Sequence, residues 1–216
     1  MIYSRLPYSL GPVHRNMDPL TDITEGNTLF PVFLKVERLK TLIVGGGPVG
    51  LEKLNALLSN APDAEITLVG KTILPEIKAM ATQTNRLELQ EKAFTSCDLY
   101  GKDIAIIATD NAVENKRIHD IAKSLRVLVN VADTPLLCDF YLGSIVQKGS
   151  VKIAISTNGK SPTVAKRLRE VLTDMLPDEM ESLLANLGEI RKRLKGDFSQ
   201  KVRQLNEITS TLTGKK

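Results

Sequence analysis

Val44-Gly45-Gly46-Gly47-Pro48-Val49-Gly50 is the stretch of sequence from which the fold can be predicted. It contains the pattern G-x-G-x-x-G at Gly45, Gly47 and Gly50, between a short apolar run and a segment with helical periodicity. The first glycine permits a tight turn, the second lets backbone approach a pyrophosphate, and the third allows close packing of helix on strand. Free N–H groups at the start of the helix then face the anion. The stretch predicts a dinucleotide-binding βαβ unit, with a purely structural glycine turn as the alternative.

The sequence around this turn alternates between apolar runs and helical patterns. Buried strands are predicted at 41–44, 66–69, 104–108 and 127–131, with a weaker one at 87–89. Asn111, followed by Glu114, predicts the start of a helix with a capping box. Strands that alternate with helices imply a parallel sheet covered on both faces, so the fold class is predicted to be α/β.

The pattern changes after Asp133. Two strands at 140–147 and 151–156 predict a β-hairpin around Lys148-Gly149-Ser150. Ser161 and Pro162 are typical of a helix cap and first helical position, and Pro177 ends that helix. Two more amphipathic helices are expected beyond it, so a sheet domain is followed by a hairpin and a helical tail.

Length and composition restrict the class of protein. The chain has 216 residues, of which 42% are hydrophobic and 25% charged, as in ordinary globular proteins. No apolar run reaches the roughly 18 residues of a transmembrane helix, so no membrane association is expected. Residues 1–27 lack the apolar core of a signal peptide and are predicted to be a disordered leader. Cys97 and Cys138 match no metal-site spacing, so no bound metal, and free thiols in a reducing cytoplasm, are expected.

The formal net charge of +4 suits nucleic acid or any other polyanionic ligand. Aromatic residues are not interleaved with basic ones, so nucleic-acid binding is not expected. Solvated helix faces are the alternative explanation of the basic residues in the C-terminal third, which are Lys166, Arg167, Arg169, Arg191, Lys192, Arg193 and Lys195.

Two predicted strands end in aspartates, at the edge where open α/β sheets place their ligands. Asp110 follows Thr109 and precedes a helix, so a cap is its favoured role. Asp133 follows Asn130-Val131-Ala132 and precedes Thr-Pro, so capping explains it poorly. We interpret Asp133 as a candidate catalytic carboxylate, with a turn-forming role as the alternative.

The end of the second predicted strand leaves the choice of dinucleotide open. An acidic residue is expected there for the adenine ribose, but the sequence is Val69-Gly70-Lys71-Thr72. Lys71 could meet a 2′-phosphate, whereas Thr72 and backbone groups could serve an unmodified ribose.

A polar turn at 156–162 contains Ser156, Thr157 and Lys160 before the predicted helix. Its hydroxyls and N-terminal N–H groups could bind carboxylates. A capped helix start without a ligand is the alternative.

Together these pieces resemble the precorrin-2 dehydrogenase/sirohydrochlorin ferrochelatase family, which also forms the N-terminal half of bacterial siroheme synthase. The matching pieces occur in family order, near family spacing, between about residues 28 and 175. Gly50 stands where the family often has Ala, a difference that is harmless or favours closer packing. The matching pieces are Phe30-Pro31-Val32-Phe33-Leu34, the GGGPVG turn with Glu52-Lys53, Ala108-Thr109-Asp110, Asn130-Val131-Ala132-Asp133, Phe140 and Ser156-Thr157-Asn158-Gly159-Lys160-Ser161-Pro162.

The resemblance implies an organisation for the whole chain. After the leader, it implies an NAD-binding Rossmann domain at 28–139, a strand-exchanged dimerisation region at 140–176 and a small helical tail domain at 177–216. It also implies a homodimer with NAD as cofactor. A carboxylate-rich tetrapyrrole would lie in the cleft between domains and subunits. The basic residues of the tail would then bind its carboxylates.

The resemblance also implies roles for individual residues. Asp133 matches the aspartate implicated in both dehydrogenation and chelation. Substrate binding is expected at Asn130, Ser156, Thr157 and Lys160. Cofactor binding is expected at Gly45, Gly47, Pro48, Val49, Gly50, Lys71, Thr72 and Thr109.

The predicted function is the NAD-dependent dehydrogenation of precorrin-2 to sirohydrochlorin in siroheme biosynthesis. Ferrochelatase activity with Fe²⁺ as a substrate is left open, because no residue of the sequence decides it. The main alternative is a non-catalytic Rossmann module that senses nucleotides, which would need neither Asp133 nor the helices after Pro162. A third class, the dehydrogenases of small hydroxy acids, would need a catalytic His or Lys and a larger substrate domain. The sequence indicates neither feature, so this class is not favoured.

Overall fold

The apolar runs of the sequence become strands of one parallel sheet. The computed structural model describes residues 26–209, so nearly all of the predicted leader lies outside the described residues. Five strands form the sheet in the order β3-β2-β1-β4-β5, and β6 and β7 form an antiparallel hairpin. The strands are β1 (Lys40–Gly46), β2 (Glu65–Ile73), β3 (Leu87–Glu91), β4 (Ile104–Ile107), β5 (Leu128–Val131), β6 (Ser144–Lys148) and β7 (Val151–Ile155).

The helices that alternate with the strands of this sheet cover both of its faces, as the sequence predicts. The predicted α/β class is confirmed, and the order reverses between β1 and β4, where open α/β sheets form their ligand crevice. The elements lie in the unit of the chain that begins at Val32. The helices are α1 (Pro48–Asn60), α2 (Pro75–Ala81), α3 (Ala112–Ser124), α4 (Pro162–Met175), α5 (Met180–Arg193) and α6 (Phe198–Thr209).

Two apolar clusters, one on each side of the sheet, form the core. Successive strand side chains point to opposite faces, so Ile43 and Ile106 face α1 and α2, whereas Leu42 and Ile107 face α3. All four side chains are fully buried. Burial on both faces explains why these strands are continuous apolar runs rather than alternating ones.

The edge of the sheet at β5 is closed by the chain that follows it, rather than by another strand. The backbone N–H of Asp139 donates to the Val129 carbonyl at 2.7 Å, and the Asp139 carboxylate accepts the Val129 N–H at 2.9 Å. The Cys138 sulfur accepts the Val131 N–H at 3.2 Å. Side chains therefore satisfy the outward N–H groups of an edge strand, which would otherwise be free to pair with another chain.

The hairpin is shorter than the sequence predicts. Its first strand begins at Ser144 and not at Phe140, because Phe140 and Leu142 pack against the core on the α1 side of the sheet. The turn itself is the predicted one, with Lys148 paired to Val151 around Gly149 and Ser150.

Polar contacts attach the hairpin to the helices on either side. Lys148 forms an ion pair with Asp178, and the Ser150 N–H and hydroxyl donate to Glu181 near the start of α5. The Lys152 ammonium donates to the Asn60 carbonyl at 2.8 Å. A cation at the carboxyl end of α1 also interacts favourably with the helix dipole.

None of the helices between residues 26 and 209 has the length and apolar content of a transmembrane span.

Replacing Asp139 by Ala is expected to lower the free energy of unfolding by about 1–3 kcal/mol, because the Val129 N–H loses its acceptor. The Lys123→Ala variant is the control, since it removes only the 2.6 Å ion pair to Asp139, and we expect a loss below about 1 kcal/mol. Urea unfolding measures both values. Equal losses in the two variants would contradict this account of the β5 edge.

The same carboxyl predicts a pH dependence. Burial tends to raise the pKa of Asp139, but hydrogen bonds from Lys123 and Val129 outweigh burial and hold the pKa below its ordinary value. The ionised form therefore stabilises the fold above the unfolded pKa of about 4, and this contribution is lost as the pH falls through the lower folded value. The stability of the Asp139→Ala variant should depend less on pH in that acidic range.

Candidate functional site

Three backbone segments meet at the glycine turn after β1, at distances that exclude side chains. Gly45 has a φ of 124°, and a Cβ on it would lie 2.2 Å from the Ala108 carbonyl oxygen at the end of β4. A Cβ on Gly46 would lie 2.3 Å from the Thr72 carbonyl oxygen. A Cβ on Gly50 would lie 2.0 Å from the Gly45 carbonyl oxygen, which explains close packing of α1 on β1. Only glycine fits these positions without a shift of backbone.

Gly47 differs from its neighbours, because a Cβ on it would meet nothing within 4 Å. It is the N-cap of α1, and Pro48 is the first helical residue and carries no N–H. The first N–H groups of this helix therefore belong to Val49 and Gly50 and lack partners within the helix. Open space beside free N–H groups at a helix N-terminus fits a pyrophosphate. The residues present thus fit the phosphate part of a dinucleotide.

A bulge in β2 packs directly against this turn. Val44 pairs with Val69 and Gly46 pairs with Ile73, so Gly70, Lys71 and Thr72 lie opposite Gly45 alone. Lys71 and Thr72 are exposed beside the turn. Gly70 was not predicted as a site residue, although a Cβ on it would lie 2.8 Å from the Gly46 nitrogen.

Thr109, at the end of β4, is held by a buried amide. Its hydroxyl donates to the Asn115 side-chain oxygen, and the Asn115 amide donates to the Thr109 carbonyl at 3.0 Å. The predicted cap role of Asp110 is wrong, because Asn111 is the N-cap of α3 and accepts the Glu114 N–H at 3.0 Å. The capping box is half formed, since the Glu114 carboxylate binds Arg117 instead.

Asp133 lies in a tight turn directly after β5. Its φ is 55°, a conformation that Asp tolerates better than most residues, and the Thr134 N–H donates to the Val131 carbonyl at 3.3 Å. The carboxylate is exposed and makes no hydrogen bond or ion pair with any residue between 26 and 209. Asp133 therefore forms part of a turn and also presents an unpaired carboxylate at the carboxyl edge of the sheet.

The thiol of Cys138 closes the loop that carries Asp133. Besides accepting the Val131 N–H, it lies 3.2 Å from the Val131 carbonyl and 3.4 Å from the Thr134 carbonyl, either of which can accept its proton. Burial raises the pKa of Cys138, so the thiol stays protonated and can act as a donor. A lone cysteine without metal spacing gave no signal of this role in the sequence.

Asn130, a predicted substrate residue, is buried. Its amide donates to the Phe140 carbonyl at 2.8 Å and so helps to hold the segment that closes the β5 edge. Its predicted substrate contact stays a prediction.

The polar turn before α4 lies near the Asp133 loop. Asn158 and Gly159 have φ values of 54° and 74°, and the Lys160 N–H donates to the Thr157 carbonyl at 3.0 Å. A Cβ on Gly159 would lie 3.9 Å from the ring of Pro135, two residues after Asp133. Within this turn the Thr157 hydroxyl accepts the Ser161 N–H at 3.2 Å, and the Ser156 hydroxyl accepts the Asn158 N–H at 3.1 Å.

Ser161 caps α4 as predicted, and its hydroxyl accepts the Val164 N–H at 3.2 Å. Lys160 precedes it and is exposed. The cap confirms the predicted helix start, and the turn presents a cation close to the Asp133 loop.

The carboxyl edge of the sheet thus brings two functional parts together. The glycine turn follows β1, and Asp133 follows β5, which is separated from β1 only by β4. Since neighbouring strands are about 4.8 Å apart, the two strand ends lie about 10 Å from each other. A dinucleotide bound at the turn would therefore lie at the same edge of the sheet as the Asp133 carboxylate. No group of three or more His, Cys, Asp or Glu side chains in the described part of the chain could hold a metal ion.

The fold and the glycine turn together define a Rossmann-type dinucleotide-binding domain. Residues 32–144 match a family model described as "Putative NAD(P)-binding", and the chain belongs to this NAD(P)-binding family. Residues 148–175 match a second model, "Sirohaem biosynthesis protein central". The second match covers the hairpin turn, β7 and α4.

Curated proteins and a solved structure extend these similarities. The chain is 38% identical over 187 residues to siroheme synthase of Psychrobacter cryohalolentis, covering 87% of this chain and 33% of that protein. It is 35% identical over 173 residues to siroheme synthase of Nitrosospira multiformis, covering 79% and 36%. The chain spans about a third of the length of these curated relatives. The structure of SirC, a precorrin-2 dehydrogenase, is similar with a TM-score of 0.65 and 25% identity, covering 83% of this chain and 89% of that one.

Two alanine substitutions should separate folding from nucleotide binding. Gly45→Ala is expected to lower the free energy of unfolding by about 2 kcal/mol or more, because the new Cβ meets the Ala108 carbonyl at an unfavourable φ. Gly47→Ala has room for its Cβ and an ordinary backbone conformation, so it should lose less than about 1 kcal/mol. Its methyl group occupies the space left for the pyrophosphate, so NAD affinity should fall.

Urea unfolding and titration calorimetry with NAD measure the two effects. Unchanged NAD affinity in a folded Gly47→Ala variant would contradict the assignment of the phosphate site.

Proposed function

We propose that this protein oxidises precorrin-2 to sirohydrochlorin, with NAD as hydride acceptor, as a step of siroheme biosynthesis in the cytoplasm. The observation that carries the proposal is the unpaired carboxylate of Asp133, at the same sheet edge as the glycine turn. The structural similarity to a precorrin-2 dehydrogenase over most of both chains supports this substrate. The two free cysteines, Cys97 and Cys138, are consistent with a reducing compartment.

The glycine turn and Asp133 have different roles in the proposed reaction. Gly45, Gly47 and Gly50 shape the turn that would hold the pyrophosphate, with N–H groups of Val49 and Gly50 facing it. NAD, when bound, supplies an acceptor for the hydride that leaves the macrocycle. The oxidation removes one hydride and one proton, and Asp133 accepts the proton as general base. An exposed carboxylate with no cationic partner among the described residues is free for this task.

The tetrapyrrole would lie across the exposed surface that the Asp133 loop and the neighbouring turn before α4 form together. Its carboxylates would bind Lys160 and the hydroxyl groups of Ser156 and Thr157. Asn130 would support the Asp133 loop through its hydrogen bond to the Phe140 carbonyl. Exposed basic residues of the C-terminal helices, such as Arg191 and Arg193, add positive charge for a polyanionic substrate.

The Asp133→Asn variant is expected to lower kcat for precorrin-2 oxidation by about 100-fold to 10,000-fold, the usual range for loss of a general base. NAD affinity should stay within about twofold, because Asp133 is not part of the phosphate turn. Asp110→Asn is the matched control, since Asp110 is exposed at the end of the neighbouring strand and does not cap α3. The assay follows sirohydrochlorin by absorbance.

Wild-type protein that binds NAD but does not oxidise precorrin-2 would instead favour the nucleotide-sensing module. Equal activity of wild type and Asp133→Asn would remove Asp133 from the mechanism and leave the reaction in place. Adding ferrous iron to the wild-type assay tests chelation. Formation of siroheme would assign iron insertion to this chain as well, and accumulation of sirohydrochlorin would restrict it to dehydrogenation.

We also propose that the protein forms a homodimer through α4. Ala165 of this helix is buried against the hairpin, but a stripe of four apolar side chains on α4 is between 43% and 71% exposed. A second copy would remove this apolar surface from water. The helix lies within the segment that matches the sirohaem biosynthesis central model, so the surface belongs to a region shared with that family. The stripe consists of Val164, Leu168, Val171 and Met175.

Val171→Glu is expected to shift the protein from dimer to monomer, because a buried unpaired carboxylate opposes association. Lys166→Glu is the control, since Lys166 lies on the opposite side of α4 from the stripe by helical spacing. Light scattering coupled to gel filtration measures the mass. A monomeric wild type, or a Val171→Glu variant that dimerises as well as the control, would overturn the interface.

A further inference from the structure

The end of β2 carries a cation at the position that usually selects the dinucleotide. In Rossmann domains an acidic residue about 20 residues beyond the glycine pattern binds the ribose 2′-hydroxyl of NAD, whereas a basic residue nearby accommodates the 2′-phosphate of NADP. Lys71 stands at this distance beyond Gly50, and neither Gly70 nor Thr72 beside it is acidic. The local sequence therefore lacks the carboxylate that rejects a 2′-phosphate.

The bulge fixes Lys71 beside the phosphate turn. Gly70 lies so close to Gly46 that no Cβ fits between them, and the Leu74 N–H donates to the Gly46 carbonyl at 2.9 Å. These contacts hold the backbone on both sides of Lys71 against the turn that follows β1. The side chain of Lys71 is exposed, so its ammonium can reach a ligand in the crevice.

Two carboxylates near this position, those of Glu91 and Glu114, already have partners. Glu91, opposite Gly70 on β3, accepts the Ile73 N–H at 3.1 Å and the Lys78 ammonium at 2.8 Å. These hydrogen bonds, that of Lys78 first, lower the pKa of Glu91. Its carboxylate therefore adds little uncompensated negative charge at the end of β2.

Glu114 at the start of α3 is likewise paired. It accepts two hydrogen bonds from the Arg117 guanidinium, at 2.8 and 2.7 Å, and the Arg117 guanidinium also lies over the ring of Phe94. Its pKa is lowered mainly by Arg117 and further by the charge of Lys71, which places Lys71 within electrostatic range of α3. Lys71 itself forms no hydrogen bond or ion pair with residues 26–209. Its positive charge is available to a ligand.

We infer that Lys71 is a specificity-determining residue that binds the 2′-phosphate of NADP, so that the protein accepts NADP as well as NAD. The inference rests on the dinucleotide site of the proposed function, but not on the identity of the substrate. An ammonium binds phosphate as a point charge, and binding at an exposed site weakens as ionic strength rises.

Titration calorimetry with NADP and NAD tests this inference without any turnover. Wild type should bind NADP at least as tightly as NAD at low ionic strength. Lys71→Met keeps the apolar stem and removes the charge, so it should weaken NADP binding about tenfold and change NAD binding less than about twofold. Lys71→Arg should restore NADP binding. Lys40→Met is the control, because it removes the same charge at the amino end of β1.

The fragment 2′,5′-ADP, compared with 5′-AMP, isolates the contribution of the 2′-phosphate. The protein should bind 2′,5′-ADP more tightly than 5′-AMP. This difference in affinity should disappear in Lys71→Met and decrease in high salt. NADP binding far weaker than NAD binding in wild type, or an equal effect of Lys71→Met on both dinucleotides, would overturn the inference. If NAD supports precorrin-2 oxidation while NADP does not bind, only this inference fails. If neither dinucleotide binds to the folded wild type, both this inference and the proposed function fail.

Discussion

The backbone of the glycine turn touches the ends of both neighbouring strands, and the crevice exists because of this contact. Gly45 lies against the carbonyl of Ala108 on one side, and Gly46 lies against that of Thr72 on the other. Side chains on either glycine would push β1 away from β4 or β2. The absence of two Cβ atoms therefore lets the sheet stay continuous through the point where its strand order reverses. Gly47, which follows these two glycines, has open space beside it.

The opposite end of the crevice depends on a different kind of contact. Asp133 follows the edge strand β5, which has the neighbouring strand β4 on one side and no strand on its outer side. Cys138, Asp139 and Asn130 support the loop through hydrogen bonds from side chains to backbone. The end of the site at the glycine turn is thus fixed by steric fit, and the end at Asp133 is fixed by polar contacts. The two ends should respond differently to substitutions and to pH.

Much of this architecture could be predicted from the sequence, because glycine patterns, apolar periodicity and helix caps are local signals. The strands, the turn from Gly45 to Gly50 and the cap at Ser161 were predicted on such grounds. The bulge from Gly70 to Thr72 could not be predicted, because it depends on how closely two strands approach. The roles of Asn115 and Cys138 were also missed, since each depends on contacts with a loop. Asp110 was wrongly predicted as a cap because Asn111, one residue later, competes for the same role.

The sealed edge at β5 has a consequence for the behaviour of the protein in concentrated solution. Edge strands with free N–H groups act as templates for intermolecular β-pairing. Here the outward N–H groups of Val129 and Val131 are bonded to residues 138–139, a segment without regular secondary structure. Detachment of this short segment would expose a strand edge while the rest of the sheet stays folded. The tendency of the protein to aggregate should therefore follow the local opening of this segment more closely than the global stability of the domain.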